Sequence, residues 1–161
     1  MDSFRKFRCS DNLEYYQEWI KKVSDDHDVK VSDVNYSYII ENYPNANISS
    51  IAWAHPYEKL IFMNYNEMEK GDYLVRTVKA TLLHEYGHIF YNRSRKYKNF
   101  GGNIYGFAGW EYLAHVWAMN KASKLGLENE LKVLRYMFED WRKETKRNYR
   151  IAHRMLRNIG I

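Results

Sequence analysis

The residues of this chain best able to do chemistry are His84 and His88, four positions apart, with Glu85 between them. On a helix, positions i and i+4 lie one above the other, so both imidazoles can aim a ring nitrogen at a single ion. Glu85 sits beside the first histidine, where it can reach a water on that ion and take its proton. The run His84-Glu85-Tyr86-Gly87-His88 is thus an HExxH motif, and the chemistry it predicts is metal-assisted hydrolysis. Leu82, Leu83, Ile89 and Phe90 flank it, the dry and rigid setting that such an ion needs.

Catalytic zinc usually takes three protein ligands. Cys9 is the only cysteine, so any ligands must be histidine and carboxylate. Glu111, near the start of the next helical stretch, is the candidate third ligand. His115 competes for the role, because it lies one turn beyond Glu111 on the same face. If Glu111 is the ligand, His115 is left to orient a ligand or to donate to the transition state. A site of three histidines would use His115 instead. Tyr91, Tyr105 and His153 are further candidates for an oxyanion donor, and Gly87 leaves room for another element to pack closely.

The elements that must position these groups can be read from periodicity. Residues 11–24 read as a helix capped by Asp11, with Leu13, Tyr16, Ile20 and Val23 on one face. Residues 29–43 fit strand or helix. Ile48 to Trp53 and Lys59 to Met63 read as two antiparallel strands joined through a turn at His55 and Pro56. A largely buried helix is expected from Asp72, as N-cap, to Tyr91. Another runs from Phe107 to Leu125 with Gly126 as C-cap, and a last one from Glu128 to Arg157. The stripe Trp110, Leu113, Trp117 and Leu125 reads as core. The sum is a helix-rich α+β domain spanning 1–161, with a small early sheet and the HExxH motif on its central helix.

HExxH followed by a downstream helix carrying Glu111-x-x-Ala114 resembles the gluzincin metallopeptidases, and the short span between the motifs is similar to the minimal members, the ImmA/IrrE-like peptidases. The resemblance covers about residues 48–125. It implies a zincin-like fold, a zinc ion on His84, His88 and Glu111, and peptide-bond hydrolysis by a zinc-bound water with Glu85 as general base. It also implies a small sheet whose edge strand pairs with an extended peptide substrate, without deciding which of the two strands does so. Thermolysin-like members carry an Asp one turn after the glutamate ligand. Here that position is His115, a departure from the pattern.

Composition bounds the alternatives. A single cysteine excludes a disulfide framework. Met1 to Ser10 holds no apolar leader, and no stretch approaches the roughly 18–20 apolar residues of a membrane span, so the expected compartment is the cytoplasm. The formal charge is +5, concentrated between Lys132 and Arg157, where only Glu139, Asp140 and Glu144 oppose the basic residues. Such a face could meet nucleic acid or an acidic protein, or be solvated, and the basic loop Arg93 to Lys98 could recruit an acidic partner or be solvated. His55 reads as a surface residue, and His27, among Asp25, Asp26 and Asp28, as part of a charged loop or a weak metal site. The leading expectation is a zinc metalloendopeptidase acting on a protein or peptide. Two others stand beside it: a zincin-fold binding module without turnover, and a nucleic-acid-binding protein with a structural zinc.

Overall fold

The computed structural model describes residues 2–42, 49–92, 104–144, 150 and 154. In chain order these form α1 (Leu13–Ser24), β1 (Lys30–Asp33), α2 (Tyr36–Asn42), β2 (Ala52–His55), β3 (Leu60–Met63), α3 (Tyr65–Lys70), α4 (Val75–Asn92), α5 (Ile104–Lys124) and α6 (Glu128–Glu144). The class is α+β, helix-rich, with one small sheet early in the chain.

The ambiguous stretch 29–43 divides into a strand and a short helix, β1 and α2. α1 buries Tyr16, Ile20 and Val23 as its periodicity predicts, but its cap is Asn12, not Asp11. Asn12 Oδ1 accepts the Glu14 N–H at 3.0 Å. Asp11 is drawn instead into an ion pair with Arg5 at 2.9 Å and accepts the Tyr16 hydroxyl at 3.2 Å.

The sheet order is β1-β3-β2, with β1 parallel and β2 antiparallel to the central β3. β3 is apolar because both its neighbours and the helices cover it, and Ile61, Phe62 and Met63 are buried. β2 is an edge strand. It begins at Ala52 and runs to His55, further along the chain than the predicted Ile48 to Trp53. His55 therefore ends a strand instead of sitting in a turn; it is half-buried, and its Nδ1 accepts the Glu58 N–H at 3.3 Å.

α3 was not foreseen. Asn64 caps it by accepting the Glu67 N–H at 3.3 Å, an Asn-x-x-Glu signal present in the sequence. Its presence moves the start of the central helix. Asp72 is not the N-cap of α4: it lies in the turn after α3 with φ of 55° and pairs with Lys6 at 3.1 Å. The first free N–H groups of α4 are taken by the N-terminal segment. Val75 N–H donates to the Arg5 carbonyl at 2.8 Å and Arg76 N–H to the Ser3 carbonyl at 3.0 Å. Phe7, fully buried, anchors that segment.

α4 then runs through the core, burying Val75, Val78, Leu82, Leu83 and Ile89, although Phe90 is 46% exposed. Gly126, with φ of 66°, ends α5 as predicted, and Leu127 N–H reaches back to the Ala122 carbonyl at 2.9 Å. Of the expected core stripe on α5, Leu113 is fully buried and Trp117 packs on the core, whereas Leu125 is exposed. α6 is described to Glu144; most of the basic stretch from there to Arg157 lies outside the described residues, as do the Arg93 to Lys98 loop and His153. Among the described residues no helix is long and apolar enough to cross a membrane.

Candidate metal centre

α4 and α5 approach each other at Gly87 and Ala114. A Cβ on Gly87 would meet the Ala114 Cα and carbonyl oxygen, both at 2.8 Å, so only glycine allows this spacing. The contact lies one residue before His88 and three after Glu111. It lets the Glu111 carboxylate reach across to the histidines. Its Oε2 lies 3.2 Å from His84 Nε2 and its Oε1 lies 3.1 Å from His88 Nε2. All three side chains are nearly enclosed, with His84 and His88 buried. The Trp110 ring covers His88, with centroids 4.2 Å apart, a role its core periodicity did not reveal.

His115 joins this group. One ligand atom each from His84, Glu111 and His115 lie within 4.8 Å of one another. Its ring packs on that of His84 at 4.2 Å between centroids, and Phe138 and Trp141 of α6 close its other side. The contact to His84 is ring to ring, not a hydrogen bond. Burial, reinforced by the neighbouring histidines, pushes the His115 imidazolium down to about 3, so the ring is neutral and offers a lone pair. Glu111 shows the opposite balance. Burial alone would raise its pKa, but His88 and His84 hold it well below the usual carboxylate range.

Glu85 faces the cleft beside His84. Burial pushes its carboxyl up to about 7, and the Glu111 charge adds to this, while His84 and a hydrogen bond from the Ala54 N–H oppose it. That hydrogen bond follows from the sheet register. Asn64 N–H donates to the Ile51 carbonyl at 2.8 Å, so the bonded pairs alternate through Trp53–Phe62 and His55–Leu60. The polar backbone groups of Ala52 and Ala54 then point away from β3, toward α4. β2, not β3, is therefore the edge that overlooks the site.

A cleft of about 400 Å³ opens over these groups, between Ser50, Ile51 and Ala52 on one side and Met137, Asp140, Trp141 and Glu144 of α6 on the other. The first wall falls within the Ile48 to Trp53 stretch, one of the two strands expected to meet an extended substrate, whereas the α6 wall was not singled out; Asp140 and Glu144 read only as minor counter-charges in a basic helix. Of the candidate oxyanion donors, His115 lines the cleft; Tyr91 packs on Phe90, and the side chains of Tyr105 and His153 lie outside the described residues. A larger groove of about 880 Å³ runs beside Lys21, His27 and Lys59, away from the motif. His27 is exposed there, while its neighbour Asp26 is buried and holds the Tyr86 hydroxyl at 2.7 Å and Lys59 Nζ at 2.9 Å.

The donor set fits a zinc ion. Two imidazole Nε2 atoms converge on one carboxylate, a third imidazole stands alongside, and neutral nitrogen and carboxylate oxygen are donors zinc prefers. One usual feature is missing. The Nδ1 atoms of His84, His88 and His115 are buried with no partner among the described residues, whereas ligating histidines usually donate that N–H to an acceptor. No family model matches the chain, and no curated protein or solved structure matches it.

Proposed function

We propose that the protein is a zinc-dependent metallopeptidase. The observation that carries this reading is the Glu111 carboxylate bridging His84 Nε2 and His88 Nε2 on helices packed at Gly87, with Glu85 beside them facing an open cleft. His84, His88 and Glu111 would hold the ion. Bound there, zinc supplies Lewis acidity, bringing the pKa of water to roughly 7 and polarising a substrate carbonyl.

The rest is done by the chain. Glu85, poised near neutrality by burial and anchored by the Ala54 N–H, takes the proton of the attacking water and passes it to the leaving amine. The outward backbone groups of Ala52 suit an extended peptide laid along the edge of β2. His115, beside His84, is the described side chain best placed to face the developing oxyanion.

One observation favours a second reading. His115 lies within ligand distance of His84 and Glu111, and four protein donors would close the site as in structural zinc. The ion would then hold together a binding module, or a protein meeting nucleic acid through its basic helix.

The test is zinc content by mass spectrometry combined with cleavage of a peptide pool. One zinc per chain, cleavage by wild type, and zinc without cleavage in Glu85→Gln support the enzyme. Tight zinc with no cleavage of any peptide supports the closed site. Absence of zinc after reconstitution overturns both.

A further inference from the structure

The chain is basic overall, with 25 lysines and arginines against 20 acidic residues. Its cleft is the reverse. The described residues lining it include Glu85, Glu111, Asp140 and Glu144, and no lysine or arginine. Glu111 and Glu85 belong to the candidate metal centre, where a bound divalent ion would offset their charge. Asp140 and Glu144 do not, and they leave the cleft with a surplus of negative charge.

That surplus is placed by helix geometry. Met137, Asp140, Trp141 and Glu144 fall at i, i+3, i+4 and i+7, so they share one face of α6, and that face lines the cleft. Lys132, Arg135, Arg142 and Lys143 are exposed on the rest of the helix. Arg142, adjacent in sequence, pairs with Glu139 at 2.6 Å and not with Asp140. Among the described residues neither Asp140 nor Glu144 has a basic partner. Trp141, between them, also lines the cleft; its half-buried indole packs on His115 and Phe138. His115, only 4% exposed, lines the same cleft beside His84 and belongs to the candidate metal centre. Across the cleft stands the edge of β2, whose Ala52 backbone groups face away from the sheet.

We infer that the substrate is an extended peptide segment bearing an arginine or lysine, its backbone along β2 and its cationic side chain held by Asp140 and Glu144 beside Trp141. The inference names the substrate class of the peptidase proposed above and rests on that reading.

The experiment uses the zinc-loaded full chain and fluorescent decapeptides matched except for one residue: arginine, lysine, glutamine or glutamate. Cleavage is followed by mass spectrometry, and binding to the Glu85→Gln variant by anisotropy. Partly exposed ion pairs are individually weak, so two of them should favour the arginine and lysine peptides over glutamine by about three- to tenfold, less at high salt. Asp140→Asn with Glu144→Gln should bring that ratio close to one, and Asp140→Lys with Glu144→Lys should turn it toward the glutamate peptide. Both positions are exposed, and circular dichroism checks that the variants fold. Cleavage with no preference by charge, or a preference unchanged in the variants, overturns the inference and leaves the peptidase standing. Binding of basic peptides without cleavage supports the inference for the cleft and overturns the peptidase. No binding and no cleavage of any peptide overturns both.

Discussion

Gly87 and Ala114 meet backbone to backbone: a Cβ on the glycine would stand 2.8 Å from the alanine carbonyl oxygen. Because the listening partners of this contact are main-chain atoms, they cannot rotate away. Gly87→Ala should therefore destabilise the protein by overpacking, about 1–3 kcal/mol, offset in part by the roughly 1 kcal/mol that alanine gains over glycine in a helix. Urea unfolding measures the net effect, and zinc affinity should fall as Glu111 is pushed off. An unchanged midpoint and affinity would show that the helices can separate freely here.

Replacing Glu111 by alanine removes the carboxylate that both Nε2 atoms face at 3.1–3.2 Å. Zinc affinity, measured by competition with a chelating dye, should fall by more than about 100-fold, beyond the 10–100-fold typical of changes to groups around a ligand. Retention of tight binding would move the centre onto the histidines alone.

His115→Ala tests how the fourth residue takes part. Its place within ligand distance of His84 and Glu111 predicts zinc retained but weakened about tenfold, with a changed visible spectrum in the cobalt-substituted protein. An identical spectrum and affinity would restrict His115 to packing on the His84 ring.

A fourth set of variants probes the tether behind the motif. Tyr86, on the far side of α4 from the histidines, donates to the buried Asp26, which Lys59 neutralises. Tyr86→Phe removes a hydrogen bond to a charged group and should cost about 1.5–3 kcal/mol. Lys59→Met leaves Asp26 buried without its cation and should cost more, about 3–5 kcal/mol. Denaturant midpoints order the two; equal losses would argue that solvent reaches Asp26 readily.

What could be read in advance depended on whether the signal was local. His84, Glu85, His88, Glu111 and His115 were legible because helical spacing alone puts them on shared faces; the structure lines one cleft with His84, Glu85, Glu111 and His115, and holds His88 behind them against Glu111 at 3.1 Å. Gly126 was legible because a left-handed helix end favours glycine. The caps at Asp11 and Asp72 were misread because distant side chains, Arg5 and Lys6, compete for those carboxylates. Helix α3 was missed although Asn64 and Glu67 announced it. The Ala54 N–H on Glu85 and the α6 wall of the cleft had no signature at all, since strand register and helix packing decide them.

The start of α4 carries one more consequence. Its opening N–H groups are satisfied by the carbonyls of Ser3 and Arg5, so the helix that bears the motif is not self-contained. A segment cut out from Val75 to Lys124 would keep every motif residue yet begin with bare donors, and grafting it into another protein would transfer the letters without the support. Trimming the chain ahead of Phe7, or fusing a rigid partner there, should loosen a site that lies far along the sequence.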